Sequence, residues 1–286
     1  MSSPSFPAPR LDGRNIVLTG ASRGLGLAIA QQLWSAGANL ALVTRSAPTG
    51  LVLPAGAQHY FSILADLADP AAPVAIATEV IARWGGQIDG LVNNAGIIGP
   101  IGALADSDWM GWEQTVRVNL LAPIALCRLL IPHLRPGASI VNLSGGGATS
   151  PRPQFGAYAT SKAGVVRFTE NLAVELAGQA IRVNAVAPGA MNTQMLTAVL
   201  DAGAAAAGKE FAKAIEQKEQ GGVPPGKAAE LVVWLLSPDS AGVTGRLISA
   251  VWDPWRGLAS LAAELASSDI YTLRRITPED RGKKWD

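Results

Sequence analysis

The sequence predicts an α/β fold in which a doubly wound parallel sheet of about seven strands is covered by helices on both faces, giving three layers. Short β-rich runs alternate along the chain with longer segments of helical spacing, and this alternation is typical of parallel sheets. Most of the short runs are apolar at nearly every position, as expected of strands covered on both faces. The first run also ends in a glycine-rich turn that leads into a helical segment.

The individual elements follow from the same two patterns. The predicted strands are 15–19, 39–44, 59–64, 88–92, 139–143, 181–186 and 246–251. The predicted helices include 24–36, 107–134, 157–176 and 225–236. Pro225 suits the first position of its helix, where the N–H that proline lacks would have no partner. Pro123 is expected to kink or divide the long central helix.

The 286 residues are enough for one large domain with a substantial core. We expect a disordered lead over 1–12, because this segment is rich in serine and proline and has no apolar stretch of a signal peptide. The domain is expected over 13–252, with an insertion at 190–226 that forms a lid or binding element. A C-terminal extension, 253–286, completes the chain.

The extension carries Leu258, Leu261 and Leu265 at a helical spacing that gives one apolar stripe. This stripe is expected to pack on the domain itself or on a neighbouring subunit. An active-site cover is the alternative.

The composition argues against several classes of protein, including nucleic-acid-binding, disulfide-linked, metal-binding and membrane-spanning proteins. The net charge is +1 and the basic residues are scattered, so neither a nucleic-acid face nor a polybasic membrane patch is expected. The single cysteine, Cys127, excludes a disulfide within the chain and fits a reducing compartment. With only His59 and His133 besides, no metal site is expected. No stretch approaches 18 uninterrupted apolar residues, so we expect a cytoplasmic protein without a membrane span.

The glycine-rich turn after the first strand is the first functional motif. Gly20, Gly24 and Gly26 follow the strand directly, with Ser22, Arg23 and Leu25 between them. Glycines allow a tight turn and the close approach of a pyrophosphate, whose charge is stabilised at the N-terminus of the next helix. An ordinary tight turn is the alternative, but the position after the first strand of an α/β pattern favours dinucleotide binding.

The end of the second strand indicates which dinucleotide binds. A site for NAD typically has an acidic residue there to bind the ribose hydroxyls. This chain has Thr44 and Arg45 instead, and Asp and Glu are absent from 13–65. Arg45 and Arg23 could hold a 2′-phosphate, because guanidinium geometry suits phosphate. The sequence therefore favours NADP(H) over NAD(H).

A tyrosine and a lysine one helical turn apart form the candidate catalytic pair. The four-residue spacing of Tyr158 and Lys162 places them on nearly the same helix face, roughly 6 Å apart along the axis. A phenol has a pKa of about 10, and a neighbouring cation lowers that pKa. Such a tyrosine could exchange a proton with an alcohol oxygen near neutral pH. Taken alone, the pair is also consistent with two solvated helix residues.

The order of the motifs resembles that of the classical short-chain dehydrogenase/reductase family, whose members have a Rossmann fold. The similarity covers roughly residues 11–248. The matching motifs are the turn 19–26, Asp66-Leu67, Asn93-Asn94-Ala95-Gly96, Asn119, Ser144, Tyr158 to Lys162, and Pro188-Gly189.

The resemblance implies a role for each matching residue at the cofactor. Asp66 and Leu67 are expected at the adenine ring, and Asn93, Ala95 and Gly96 are expected to border the cofactor. The residues expected at the nicotinamide and the adjacent phosphate are Pro188, Gly189, Met191 and Thr193.

The resemblance also implies the catalytic roles. Ser144 would donate a hydrogen bond to the substrate oxygen and Tyr158 would transfer its proton. Lys162 would lower the pKa of the phenol and hold the ribose, and Asn119 would position a water molecule. A structural role for Asn119 in a kinked helix is the alternative. The residues expected at the substrate are Ser144, Gly145, Gly146, Phe155 and Met195.

The implied function is an NADP-dependent oxidoreductase that acts on a ketone or secondary alcohol. A 3-oxoacyl-thioester reductase is the enzymatic alternative, and a catalytically silent NADP-binding regulator is a further one. Relatives of this kind suggest a homodimer or homotetramer. Near the serine, Ser144 is followed by three glycines, and the last strand lacks the family's frequent Asp-Gly-Gly ending. These departures leave the substrate and the assembly open.

Overall fold

A parallel sheet of seven strands forms the centre of the protein. The computed structural model describes residues 9–47, 50–53, 56 and 58–284, so part of the expected lead (1–8) and the last two residues of the extension lie outside the described residues. The strands are β1 (Asn15–Thr19), β2 (Asn39–Thr44), β3 (Tyr60–Leu64), β4 (Ile88–Asn93), β5 (Leu134–Leu143), β6 (Arg182–Ala187) and β7 (Leu247–Ser249). Their order in the sheet is β3-β2-β1-β4-β5-β6-β7, with all neighbours parallel. The predicted fold class is confirmed.

Helices cover both faces of the sheet. They are α1 (Gly24–Ser35), α2 (Ala72–Trp84), α3 (Trp109–Val116), α4 (Ala122–Leu130), α5 (Gly156–Glu175), α6 (Gln194–Ala207), α7 (Lys209–Gln220), α8 (Pro225–Leu236) and α9 (Ala262–Ala266). One apolar core joins α1 and α8 to the sheet, and a second joins α2, α4 and α5 to the opposite face. Helix α8 begins at Pro225, as predicted.

The strand order reverses between β1 and β4, and this reversal opens a cleft at the carboxyl ends of the strands. Close packing around β4 requires Gly90, because a Cβ there would lie 2.7 Å from side-chain atoms of both Ile16 and Leu236. The loops that follow β1, β2, β3, β4, β5 and β6 border this cleft.

The central helical segment predicted over 107–134 is divided into two α-helices, close to the kink or division expected at Pro123. Helix α3 begins after Asp108, whose side chain accepts hydrogen bonds from the N–H groups of Met110 and Gly111, both at 3.1 Å. A π-helical turn, Arg117–Leu121, separates α3 from α4. The division thus falls just before Pro123, at the N-terminus of α4.

The stretch Trp109–His133 has the length and apolar composition of a membrane span, with a mean hydropathy of 1.4. In this fold part of the stretch packs against the sheet, where Leu126 and Leu130 are fully buried, whereas Met110 is exposed. A buried core helix of this kind meets the same criteria as a membrane helix.

The described part of the extension lies along β7 and α5. Leu247 of β7 donates a backbone hydrogen bond to Tyr271 at 2.8 Å, and Glu170 of α5 accepts one from the Leu273 N–H at 2.6 Å. Leu258 and Leu265 are buried in the α1–α8 core, whereas Leu261 is half exposed. The difference arises because a 3₁₀ turn precedes the short α9, so the three leucines do not share one α-helical face.

Candidate active site

A cavity of about 940 Å³ lies at the carboxyl ends of the strands, where the sheet order reverses. The expected site residues that line it are Gly20, Ser22, Arg23, Gly24, Leu25, Gly26, Thr44, Arg45, Asp66, Leu67, Ala95, Gly96, Ser144, Tyr158, Lys162, Pro188, Met191, Thr193 and Met195. The expected residues outside its lining are Asn93, Asn119, Gly145, Gly146, Phe155 and Gly189.

The glycine turn between β1 and α1 forms one wall of the cavity. A Cβ at Gly26 would lie only 1.9 Å from the carbonyl oxygen of Gly20, so glycine is required for this close approach. The side chain of Asn94 donates hydrogen bonds to the carbonyls of Thr19 (2.9 Å) and Gly20 (3.1 Å). Asn94 lies within the motif 93–96, but no separate role for its side chain was predicted from the sequence.

The preceding residue, Asn93, is buried and points away from the cavity. Its amide donates to the Asn142 side-chain oxygen at 2.8 Å, and Asn142 donates in turn to Thr169 of α5 at 2.9 Å. Asn93 therefore links β4 to β5 and α5. The next residue, Asn94, instead holds the glycine turn through its hydrogen bonds to Thr19 and Gly20.

The far end of the cavity is formed by the residues that follow β2 and β3. The hydroxyl of Thr44 is buried and has no hydrogen-bond partner within the protein. The next residue, Arg45, is exposed, as is Arg23 at the start of α1. Asp66 accepts a hydrogen bond from the Ala68 N–H at 2.9 Å, and Leu67 beside it is buried.

Ser144 and Tyr158 both line the other end of the cavity. The Ser144 N–H donates to Val186 of β6 at 2.8 Å, which fixes the backbone at the end of β5. The Ser144 hydroxyl is buried and has no partner within the protein. A Cβ on Gly145 would lie 2.2 Å from the Tyr158 hydroxyl oxygen, so the absence of a side chain at Gly145 admits the phenol beside the serine.

Lys162 is buried below the tyrosine ring. Its Nζ donates to the Leu143 carbonyl at 2.7 Å and lies 5.8 Å from the centroid of the Tyr158 ring. Burial lowers the pKa of Lys162 to about 8, because the charged form loses its hydration.

The pKa of Tyr158 departs from the expectation that Lys162 lowers it. Burial raises the pKa of this phenol, and the cation that opposes the rise is Arg152. The Lys162 ammonium donates to a backbone carbonyl and is itself costly to bury.

Asn119 lies in the π-helical turn and is almost fully buried. Its side chain accepts from the Ile97 N–H and donates to the Ile97 carbonyl, both at 2.8 Å. It also donates to the Ser161 hydroxyl at 3.1 Å, and Ser161 donates to the Tyr158 carbonyl at 2.7 Å. Asn119 thus connects the loop after β4 to the helix that carries Tyr158 and Lys162.

Helices α6 and α7, within the expected insertion, cover this end of the cavity. Phe155, Tyr158, Val199, Ala207 and Ala214 form a small apolar core of buried residues beneath them. Phe155 is fully buried in that core. The partly buried Met195 packs against the same core and lines the cavity.

The cavity fits a nicotinamide dinucleotide. Buried hydroxyls without protein partners stand at its two ends, on Thr44 and Ser144, and the glycine turn opens a helix N-terminus between them. Arg23 and Arg45 supply positive charge on the side of Thr44. Within the described residues, no group of three or more His, Cys, Asp or Glu side chains is arranged to hold a metal ion.

Comparison with known proteins agrees with this geometry. A family model described as enoyl-(acyl carrier protein) reductase matches residues 20–250. Short chain dehydrogenase mpl6 of Monascus purpureus is 34% identical over 84% of this chain and 82% of its own. For 3beta-hydroxysteroid dehydrogenase 1 of Eggerthella lenta, the identity is 34% over 82% of this chain and 91% of its own.

A solved structure shows the same fold with a cofactor bound. It is a short chain dehydrogenase from Burkholderia cenocepacia in complex with NADP, with a TM-score of 0.73 and 31% identity over 84% of this chain and 97% of its own. Fold, cavity and similarities together define the class of protein as a nicotinamide-dependent oxidoreductase. More specifically, the chain belongs to the classical short-chain dehydrogenase/reductase family. The family and the enzyme class expected from the sequence are confirmed.

Proposed function

We propose that the protein is an NADP-dependent oxidoreductase that interconverts a ketone and a secondary alcohol, with Tyr158 as general acid and base. The observation that carries this proposal is the contact of the Tyr158 hydroxyl with Gly145, next to the unpartnered hydroxyl of Ser144. Two hydroxyl groups at one point of the cavity can bind one substrate oxygen, one as a fixed donor and one as the proton-transfer group.

The chain's own residues would then have separate tasks. Ser144 donates a hydrogen bond to the substrate oxygen and stabilises negative charge on it. Tyr158 gives its proton to that oxygen in reduction and takes it back in oxidation. Lys162 would hold the ribose hydroxyls of the cofactor, and Asn119 holds the loop after β4 and helix α5 in register. The nicotinamide, when bound, supplies or accepts the hydride.

Replacement of the proton donor tests the proposal directly. Tyr158→Phe should lower kcat for a ketone by about 10²- to 10⁴-fold, the usual contribution of general acid–base catalysis, while NADPH still binds by fluorescence titration. Tyr60→Phe is the matched control, because it removes a phenol hydroxyl from an exposed position on β3. Turnover by Y158F at the wild-type rate would exclude the proposed role.

The walls of the cavity favour an apolar substrate. Ile97, Ile98, Val118, Leu196 and Leu200 line it. Burial of such side chains against a hydrocarbon is favourable, whereas a sugar would leave polar groups without partners. We therefore propose a hydrophobic or aryl ketone over a polyol.

NADP is the proposed cofactor because both exposed arginines border the cavity where β2 ends and α1 begins. A guanidinium can bind a 2′-phosphate in bidentate geometry. Arg45→Gln should therefore raise KM for NADPH by about tenfold, equivalent to loss of one charge-assisted hydrogen bond. Steady-state kinetics with NADH provide the internal control. An equal rise in KM for both cofactors would contradict a role at the 2′-phosphate.

A further inference from the structure

A second cation, outside the family motifs, lies against the candidate catalytic tyrosine. The Arg152 guanidinium stacks over the Phe155 ring at 4.2 Å from its centroid and lies 5.6 Å from the centroid of the Tyr158 ring. The Phe155 ring beneath it is fully buried, and the Arg152 side chain is 21% exposed. A cation in this position is only partly screened by water and favours the charged form of the buried phenol.

Arg152 is also held by the lid, the name used here for helices α6 and α7, which cover this end of the cavity. Its Nε pairs with the Glu210 carboxylate of α7 at 3.1 Å. Lys213 binds the other oxygen of the same carboxylate from the solvent side, at 2.9 Å. The first turn of α7 therefore closes over the loop before α5 through an ion pair.

A second contact joins the same two segments. Gly208, which precedes α7, packs so closely against Gln154 that a Cβ there would lie 3.2 Å from the Gln154 side-chain oxygen. The apolar core of Phe155, Tyr158 and Ala214 lies directly beneath these contacts. The lid, Arg152 and the tyrosine thus form one packed unit.

Other charged groups also lie near the tyrosine, and the Lys162 Nζ is 5.8 Å from the centroid of the same ring. Lys162 of the same helix is directed at the Leu143 carbonyl. From α6 and α7, Asp201 and Lys218 line the cavity, and Lys213 stands behind Glu210. Among the described groups, Arg152 is the one whose charge opposes the effect of burial on Tyr158.

We propose that Arg152 is a positioning residue for proton transfer at Tyr158: its guanidinium lies beside the phenol, and Glu210 of α7 holds that guanidinium in place and partly offsets its charge. This inference rests on the proposed function, because it requires Tyr158 to exchange a proton with the substrate.

The proposal predicts effects of opposite sign for the two members of the ion pair. A positive charge beside a phenol favours the phenolate, and a carboxylate beside that charge offsets it. Loss of Arg152 should therefore make Tyr158 harder to deprotonate. Loss of the negative charge on Glu210 should make it easier.

The test is the pH dependence of kcat/KM for alcohol oxidation, where activity rises as Tyr158 loses its proton. Arg152→Gln should move the midpoint of this rise up by about one pH unit, and Glu210→Gln should move it down by a smaller amount. Arg152→Lys retains the charge and should keep the wild-type midpoint even if the looser lid raises KM. Equal midpoints in R152Q, E210Q and the wild type, or shifts in the same direction, would overturn the proposal.

A matched control exists elsewhere in the chain. Arg83 of α2 likewise stacks over a phenylalanine, Phe61 of β3, at 4.5 Å and pairs with a glutamate, Glu79, at 2.9 Å. It is not part of the cavity lining. R83Q should leave the midpoint unchanged.

The two proposals can fail separately. Turnover by Y158F at the wild-type rate would remove the proposed function and this inference together. Loss of turnover in Y158F combined with unshifted midpoints in R152Q and E210Q would leave the function standing and exclude the role of Arg152.

Discussion

At the scale of single residues, the acidity of the candidate site depends on burial more than on sequence neighbours. Spacing alone placed Tyr158 and Lys162 on one helix face, and the structure brings both to the cavity. Burial nevertheless shifts each pKa against the charged form. A helical repeat predicts which side chains are adjacent, but it does not predict how much water each retains.

Lys162 provides a prediction about stability. Its pKa is about 8 in the folded protein, against a usual value of about 10.4. Below pH 8 both states carry the charge, and the folded state bears the full cost of burying it. Between about pH 8 and 10.4 the unfolded chain binds more protons, so the free energy of unfolding rises with pH. Over this pH range the free energy of unfolding increases by about 3 kcal/mol in total.

We expect the cofactor-free wild type to gain stability relative to Lys162→Met as the pH rises from 7 to 10. Methionine has a similar length and no charge, so a methionine at position 162 should add no pH dependence to the free energy of unfolding. Urea unfolding of both proteins at several pH values measures this difference. A stability difference that is independent of pH would show that the lysine is not destabilised by burial.

Other residues of the site could not be identified from the sequence. Arg152 and Glu210 are 58 residues apart, and neither belongs to a recognised motif. Their contact exists only because the lid folds back over the loop before α5. The unpartnered hydroxyl of Thr44 was likewise visible only once its surroundings were known.

At the scale of secondary structure, elements with strong end signals were predicted well. The bounds of β1 and β2 agree with the prediction, because both strands are nearly continuous apolar runs. Helix α8 also agrees at both ends, since Pro225 marks its first position. For these elements, local chemistry and tertiary packing favour the same boundaries.

The central helix and the following strand were predicted less well. Pro123 predicted a division close to the observed one, but the sequence has neither glycine nor proline between 112 and 122, so the π-helical form of the turn at Arg117–Leu121 has no local signature. That turn places Asn119 against Ile97 and Ser161, and these contacts are tertiary. Strand β5 begins at Leu134 rather than 139, because Leu134 pairs with Ile88 despite the proline and glycine that follow.

At the scale of the whole molecule, the extension is attached through Arg246. This residue is 8% exposed, and its guanidinium donates to the backbone carbonyls of Leu265, Ser268 and Ile270. A buried guanidinium that binds three carbonyls fixes the path of the chain, because each carbonyl would otherwise need another donor.

Arg246→Met should therefore lower the free energy of unfolding by about 2 to 4 kcal/mol, through loss of charge-assisted hydrogen bonds that leaves buried carbonyls unpaired. The control is Arg274→Met, in the exposed part of the extension, where the ion pairs with Asp269 and Asp280 are solvated and should contribute less than about 1 kcal/mol. Urea unfolding of the two variants compares them. Equal destabilisation would show that Arg246 does not anchor the extension.

The backbone hydrogen bond from Leu247 to Tyr271 occupies part of the outer edge of the sheet, where a strand of another molecule could otherwise pair. Strand β7 is contacted by β6 on one side and by the chain's own last segment on the other. Within the part of the chain that is described, β3 is the remaining outermost strand, and Tyr60 and Leu64 are exposed on it. An extra strand supplied by another molecule would have to displace this contact at β7, whereas no described strand covers the outer side of β3.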